Sequence, residues 1–141
     1  MEHISDFDIQ QLIPQREPMV MISGLLEASD RSVTTCFHIK EGNIFLNEDV
    51  FQENGLIENI AQSAAAMNGY HALIAGEAVK KGYIGGIKNL EVHALPEKGD
   101  QLTTLITETH NVMDASIILG EVRRDGQLLA KCEMKIFIQA S

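Results

Sequence analysis

Apolar and polar positions alternate most cleanly toward the end of the chain. Leu128, Ala130, Cys132, Met134, Ile136 and Ile138 share one side, and Lys131, Glu133 and Lys135 the other, which is the period of a half-buried strand. Weaker strand patterns precede it: Leu90, Val92 and Ala94 alternate with Glu91 and His93, residues 102–109 are threonine-rich, and residues 116–124 run from apolar to basic. Glu97-Lys98-Gly99-Asp100 and Asp125-Gly126 supply the turns, the second a strong hairpin signal. Residues 19–28 are apolar on both sides of the alternation, as in a strand covered on both faces. After the turn Ser29-Asp30-Arg31-Ser32, Val33, Phe37 and Ile39 oppose Thr34, Cys36, His38 and Lys40, so His38 lies on the more polar face.

The helical period occurs twice. Phe7, Ile9, Leu12 and Ile13 predict a short opening helix with Ser5 as N-cap and Pro14 as its stop. Residues 56–67 hold good helix formers, no Gly or Pro, and apolar side chains around most of the circumference. A helix apolar nearly all round is central, and its alanines let other backbone come close. The pattern weakens over residues 71–81, and Gly82 and Gly85-Gly86 mark a return to extended chain. Residues 41–54 read as an ordered loop pinned to the core by Ile44, Phe45, Leu46, Val50 and Phe51. The order of elements is α+β: one curved antiparallel sheet wrapped around one long central helix, in a single domain spanning residues 1–141, with sheet edges that favour pairing with a second subunit.

Charge narrows the partners. With 11 Lys+Arg against 20 Asp+Glu the formal charge is −9, which repels nucleic acid. Lys80-Lys81 with Lys88, and Arg123-Arg124, are the candidate basic patches on this acidic background. Cys36 and Cys132 form no CxxC pair, so neither a zinc site nor a disulfide framework is expected, and a reducing, cytoplasmic setting fits. The opening Met1-Glu2-His3-Ile4-Ser5-Asp6 has neither a basic start nor an apolar stretch, and no apolar run approaches the ~20 residues of a membrane span.

Three motifs in order carry a family resemblance. Leu12-Ile13-Pro14-Gln15-Arg16-Glu17-Pro18 resembles the L-L-P-H-R-x-P opening of the 3-hydroxyacyl-[acyl-carrier-protein] dehydratases, and Leu56-Ile57-Glu58-Asn59-Ile60-Ala61-Gln62 their central-helix motif L-x-E-x-x-A-Q. Gly86-Ile87, then Lys98-Gly99-Asp100-Gln101-Leu102, match the family's later G-I and P-G-D-x-L turn. The resemblance implies the hot-dog fold and a homodimer or hot-dog heterodimer. It also implies an acyl-carrier-protein or coenzyme A thioester as substrate, no cofactor and no metal. The implied chemistry is loss of water from a 3-hydroxyacyl thioester, in which one group takes the C2 proton and another delivers a proton to the departing C3 hydroxyl.

Glu58 falls on the family's carboxylate and Gln62 on the glutamine that helps hold it, and residues four apart share a helix face. Without the resemblance, Glu58 reads as a solvated first-turn glutamate stabilised by the helix dipole, and Gln62 as a buried amide bonded to backbone. The family's histidine is missing. Between Ile39 and Leu56 there is neither histidine nor proline, and Gln15 replaces the histidine of the first motif, which is not the catalytic base. His38 is the nearest substitute. Backbone N–H groups at Gly55 and Leu56 are candidates for polarising a thioester carbonyl, and Gly85 and Gly86 for admitting a pantetheine arm, against plain helix-start and bulge roles.

A related branch, the dehydratase-like subunits of aryl polyene and resorcinol-type lipid pathways, shares the E-x-x-A-Q helix and a shortened loop. The leading expectation is a dehydratase-like subunit contributing Glu58 to a site that a histidine-bearing partner completes. A hot-dog thioesterase, in which Glu58 activates water, and a non-catalytic acyl-thioester-binding subunit are the alternatives.

Overall fold

The computed structural model describes residues 2–3 and 8–139. In chain order the elements are β1 (Glu2–His3), α1 (Ile9–Leu12), β2 (Gly24–Ala28), β3 (Ser32–His38), β4 (Leu46–Asn47), β5 (Val50–Phe51), α2 (Glu53–Ile74), β6 (Gly82–Val92), β7 (Gln101–Val112), β8 (Ala115–Arg124) and β9 (Gln127–Ile138). Seven strands form one antiparallel sheet in the order β1-β2-β3-β7-β8-β9-β6, and β4 and β5 make a separate small hairpin. α2 packs on strands from β3 to β6. This is the expected α+β architecture, a sheet laid around one long helix.

The hairpin at Asp125-Gly126 forms as its sequence demands: both residues take positive φ, 51° and 80°, matching the twist of the strands they join. Close approach of helix and sheet rests on small residues. Gly120 on β8 faces Ile60, and Gly69 on α2 faces the Leu12 backbone, so a Cβ on either would collide with its neighbour.

Five expectations are corrected. The opening helix is shorter: α1 is capped by Asp8, whose side chain accepts from the Gln10 N–H while Gln11 reciprocates in a capping box. The Ser5 cap lies outside the described residues. Only Gly24–Ala28 of the expected strand 19–28 joins the sheet, because the backbone at Met19 and Met21 bonds to side chains of α2 instead of to a neighbouring strand. α2 starts three residues before Leu56 and continues to Ile74. In the loop before it, Phe51 is fully buried against Phe37 and Phe45, whereas Ile44 is exposed. Finally, bulges between Ile84 and Gly86 and between Lys88 and Glu91 break the alternation of β6. That strand ends the sheet with Tyr83, Ile84, Ile87 and Leu90 exposed.

The core explains the chemistry of the second cysteine. Cys132 is 1% exposed on β9, and burial, with the Glu133 charge beside it, pushes its thiol up to about 11. Alkylation runs through the thiolate, whose fraction at pH 8 is then about 10⁻³. Iodoacetamide at pH 8 should spare Cys132 in the native protein and label it in denaturant, with the native rate rising only as the pH climbs toward 11. Rapid native labelling would contradict its burial. Among the described residues, no helix is long and apolar enough to cross a membrane.

Candidate active site

Glu58 and Gln62 stand one turn apart on α2, and Gln62 Nε2 donates to Glu58 Oε1 at 2.8 Å. The same Nε2 donates to the Met19 carbonyl at 2.6 Å, and Gln62 Oε1 accepts from the Met21 N–H at 2.6 Å. A backbone N–H only donates, so it fixes which way the amide faces, and the side turned to Glu58 is a donor. Glu58 Oε1 is thereby held as an acceptor, and a proton on this carboxyl group sits on Oε2. The two readings of Gln62 are thus both true of one fully buried side chain.

Sequence reasoning missed the network behind this pair. Asn59 Nδ2 donates to the Met21 carbonyl at 2.8 Å and Thr104 Oγ1 to Asn59 Oδ1 at 2.6 Å. Ser63 Oγ donates to the Asn59 carbonyl at 2.7 Å and lies 2.7 Å from Thr35 Oγ1. Since the Ser63 proton is spent on a carbonyl, Thr35 is the donor to Ser63. Asn59, Ser63, Thr35 and Thr104 are all fully buried, and their satisfied bonds fix α2 against β3, β7 and the segment around Met21. The available signal was Asn59 and Ser63, two further polar residues one turn apart in the most apolar stretch of the helix.

Glu58 borders a groove of about 260 Å³ between α2 and the start of β6, with Gln15, Ala61, Ala65, Lys80 and Tyr83 in its walls. Among the described residues no histidine lines it. His38 is exposed and borders a different groove of about 310 Å³, together with Asp8, Glu17 and Lys40. The Gly55 and Leu56 N–H groups both point at the Gln52 carbonyl, at 2.9 and 3.3 Å, so a thioester carbonyl there competes with it, and the Phe51 ring covers Gly55. Gly85 and Gly86 sit at the first bulge of β6; the Phe137 ring lies over Gly85, while Gly86 faces open space.

Of the two basic patches, the arginines are paired internally: Arg124 with Asp100 at 2.7 Å and Arg123 with Glu121 at 3.3 Å. Arg16 is likewise occupied, donating to the carbonyls of Gln10, Ile13 and Gln15 and so tying α1 to the loop that carries Gln15. Among the described residues no cluster of three His, Cys, Asp or Glu side chains is placed to hold a metal.

An antiparallel sheet wrapped on one long helix, with a carboxylate near that helix's start facing a groove, defines a hot-dog protein of the dehydratase type. The family model described as ApeP dehydratase matches residues 7–140, and the chain belongs to this ApeP-like family. Its fold is shared with the dehydratase heterocomplex ApeI:P from Xenorhabdus doucetiae, at 19% identity and a TM-score of 0.90 over 97% of this chain and 94% of that one. It is also similar to the E. coli PaaI protein of the phenylacetic acid degradation operon, at 11% identity and a TM-score of 0.65 over 81% of each chain. A thioesterase-type protein from Streptococcus pneumoniae, solved with coenzyme A, matches at 10% identity and 0.67 over 83% of this chain and 85% of that one. No curated protein matches the chain.

Proposed function

We propose that this chain is the carboxylate-bearing subunit of a 3-hydroxyacyl-thioester dehydratase, completed by a second hot-dog chain that supplies an imidazole. The observation that carries the reading is Glu58, held on one oxygen by Gln62 and bordering a groove that no histidine among the described residues lines. Elimination needs two proton-transfer groups. The partner's imidazole takes the C2 proton, and Glu58 Oε2 gives its proton to the C3 hydroxyl. The C3–O bond breaks, the C2=C3 bond forms and water leaves. Proton return from imidazolium to carboxylate resets the site.

The place for the partner is the outer edge of β6. Among the described residues no strand pairs with this edge, which carries exposed Tyr83, Ile84, Ile87 and Leu90, and such an edge is a template for another chain. Its start walls the Glu58 groove, so a chain pairing there reaches the carboxylate. The Xenorhabdus relative's assembly as a heterocomplex of two proteins agrees with this arrangement. The carried group is a carrier-protein or coenzyme A thioester, its pantetheine arm passing near Gly86 where the strand is open.

The test is turnover of a 3-hydroxyacyl carrier protein by the chain alone and with a histidine-bearing hot-dog protein from the same genome. Dehydration should be at least ~100-fold faster with both proteins, the typical contribution of one positioned acid or base. Equal activity of the chain alone would overturn the shared site, and release of free thiol without enoyl product would favour the thioesterase reading.

A further inference from the structure

Gln15 Oε1 is buried without a hydrogen-bond partner among the described residues, and Gln15 lines the same groove as Glu58. The polar side chains packed behind the Glu58–Gln62 pair are satisfied: Gln62, Asn59, Ser63, Thr35 and Thr104 all have hydrogen-bond partners. A buried acceptor without a partner is destabilising in the empty protein, and a donor on a ligand bound in the groove would relieve that cost. Nothing in the local fold requires a polar side chain there. The loop is anchored through the backbone, by Arg16 bonding to the carbonyls of Ile13 and Gln15.

We propose that Gln15 is the specificity-determining residue for the 3-hydroxyl group: its Oε1 accepts the hydroxyl proton of the bound 3-hydroxyacyl thioester. This rests on the dehydratase reading above and deepens it. Next to Glu58 lie the reacting carbons of the substrate, and among their substituents the C3 hydroxyl is the sole hydrogen-bond donor. The thioester carbonyl and sulfur only accept, and the first pantetheine amide N–H lies beyond the sulfur. Rotating the glutamine amide to meet the donor costs little, because χ3 is a broad, roughly two-fold torsion. The arrangement divides the hydroxyl between two residues: its hydrogen goes to Gln15 and its oxygen faces the Glu58 proton. Saturated and enoyl thioesters lack the donor and leave Gln15 unpaired, so the site favours the substrate over its product.

The experiment measures binding to the complex of this chain with its histidine-bearing partner. The probes are a 3-hydroxyacyl pantetheine and its saturated counterpart of equal length, each with sulfur replaced by methylene against acyl transfer, and the partner's catalytic histidine is replaced by alanine so that no C2 proton is removed. Wild type should prefer the hydroxylated ligand about tenfold. In Gln15→Met, of similar size but without the acceptor, the preference should fall to within about twofold while affinity for the saturated ligand stays unchanged, which also shows an intact groove. Equal affinities in wild type, or a preference that survives Gln15→Met, would overturn the assignment. If neither ligand binds wild type, the dehydratase reading falls and Gln15's role with it.

Discussion

Glu58→Gln should lower dehydration by the assembled complex by a factor on the order of 10²–10⁴, the range for losing one positioned proton-transfer group. Shape and packing are retained, since a glutamine oxygen still accepts from Gln62 Nε2 in place of Glu58 Oε1. What disappears is the capacity of the second oxygen to give or take a proton. Melting temperature and partner binding should therefore hold while kcat collapses, a separation that a merely structural glutamate does not produce. Undiminished turnover would make this chain a binding or scaffolding subunit. The assay is enoyl formation followed by absorbance or mass spectrometry, with the melting curve as control.

Gly69→Ala should be the most destabilising single methyl in the molecule. Gly69 is buried on α2, and a Cβ there would land on the Leu12 carbonyl oxygen and 2.8 Å from its carbonyl carbon. Two effects oppose. Replacing glycine in a helix interior gains about 1 kcal/mol of helix propensity, while overpacking costs typically about 1–3 kcal/mol and more where nothing yields. Here the obstructing atoms are backbone of α1, whose loop is held by three Arg16 bonds, so the collision wins. A net loss of roughly 2 kcal/mol corresponds to a fall in Tm of about 8 °C for a chain of this size. A rise in Tm would show that α1 and α2 do not approach this closely. Because Leu12 lies three residues before Gln15, the same methyl should also disturb the wall of the Glu58 groove.

Where the fold was legible, local chemistry and tertiary structure agreed. β9 reads directly from its alternation because one face is core and the other is not, and the Asp125-Gly126 turn reads because both residues tolerate positive φ. The pairing of Glu58 with Gln62 was legible from their four-residue spacing together with the family motif that they match. Legibility failed where partners are remote in sequence. Residues 19–23 look like strand, yet the Met21 N–H bonds to a side chain 41 positions away, which no local pattern encodes. β6 misled for the opposite reason: its apolar residues imply burial, but Tyr83, Ile84, Ile87 and Leu90 are exposed among the described residues. Gln15 was read as a departure from a motif, and only its unfilled oxygen in the groove gives that departure a chemical meaning.

The unusual anchoring of the Met19–Met21 backbone bears on the order in which the molecule is built. A strand in a hairpin can dock as soon as its neighbour exists, but this segment has no hydrogen-bond template until Asn59 and Gln62 are displayed on a completed, correctly seated helix. Its contacts are long in sequence and carry a closure cost that shorter ones do not. The local hairpins of β7, β8 and β9 form without it, so closing this segment is a late event on the folding path. The clamp that seats Met19 and Met21 is the same amide that grips Glu58. Completion of the fold and the fixing of the Glu58 carboxylate are therefore coupled, and a chain stopped just short of that closure has most of its secondary structure and no anchored carboxylate.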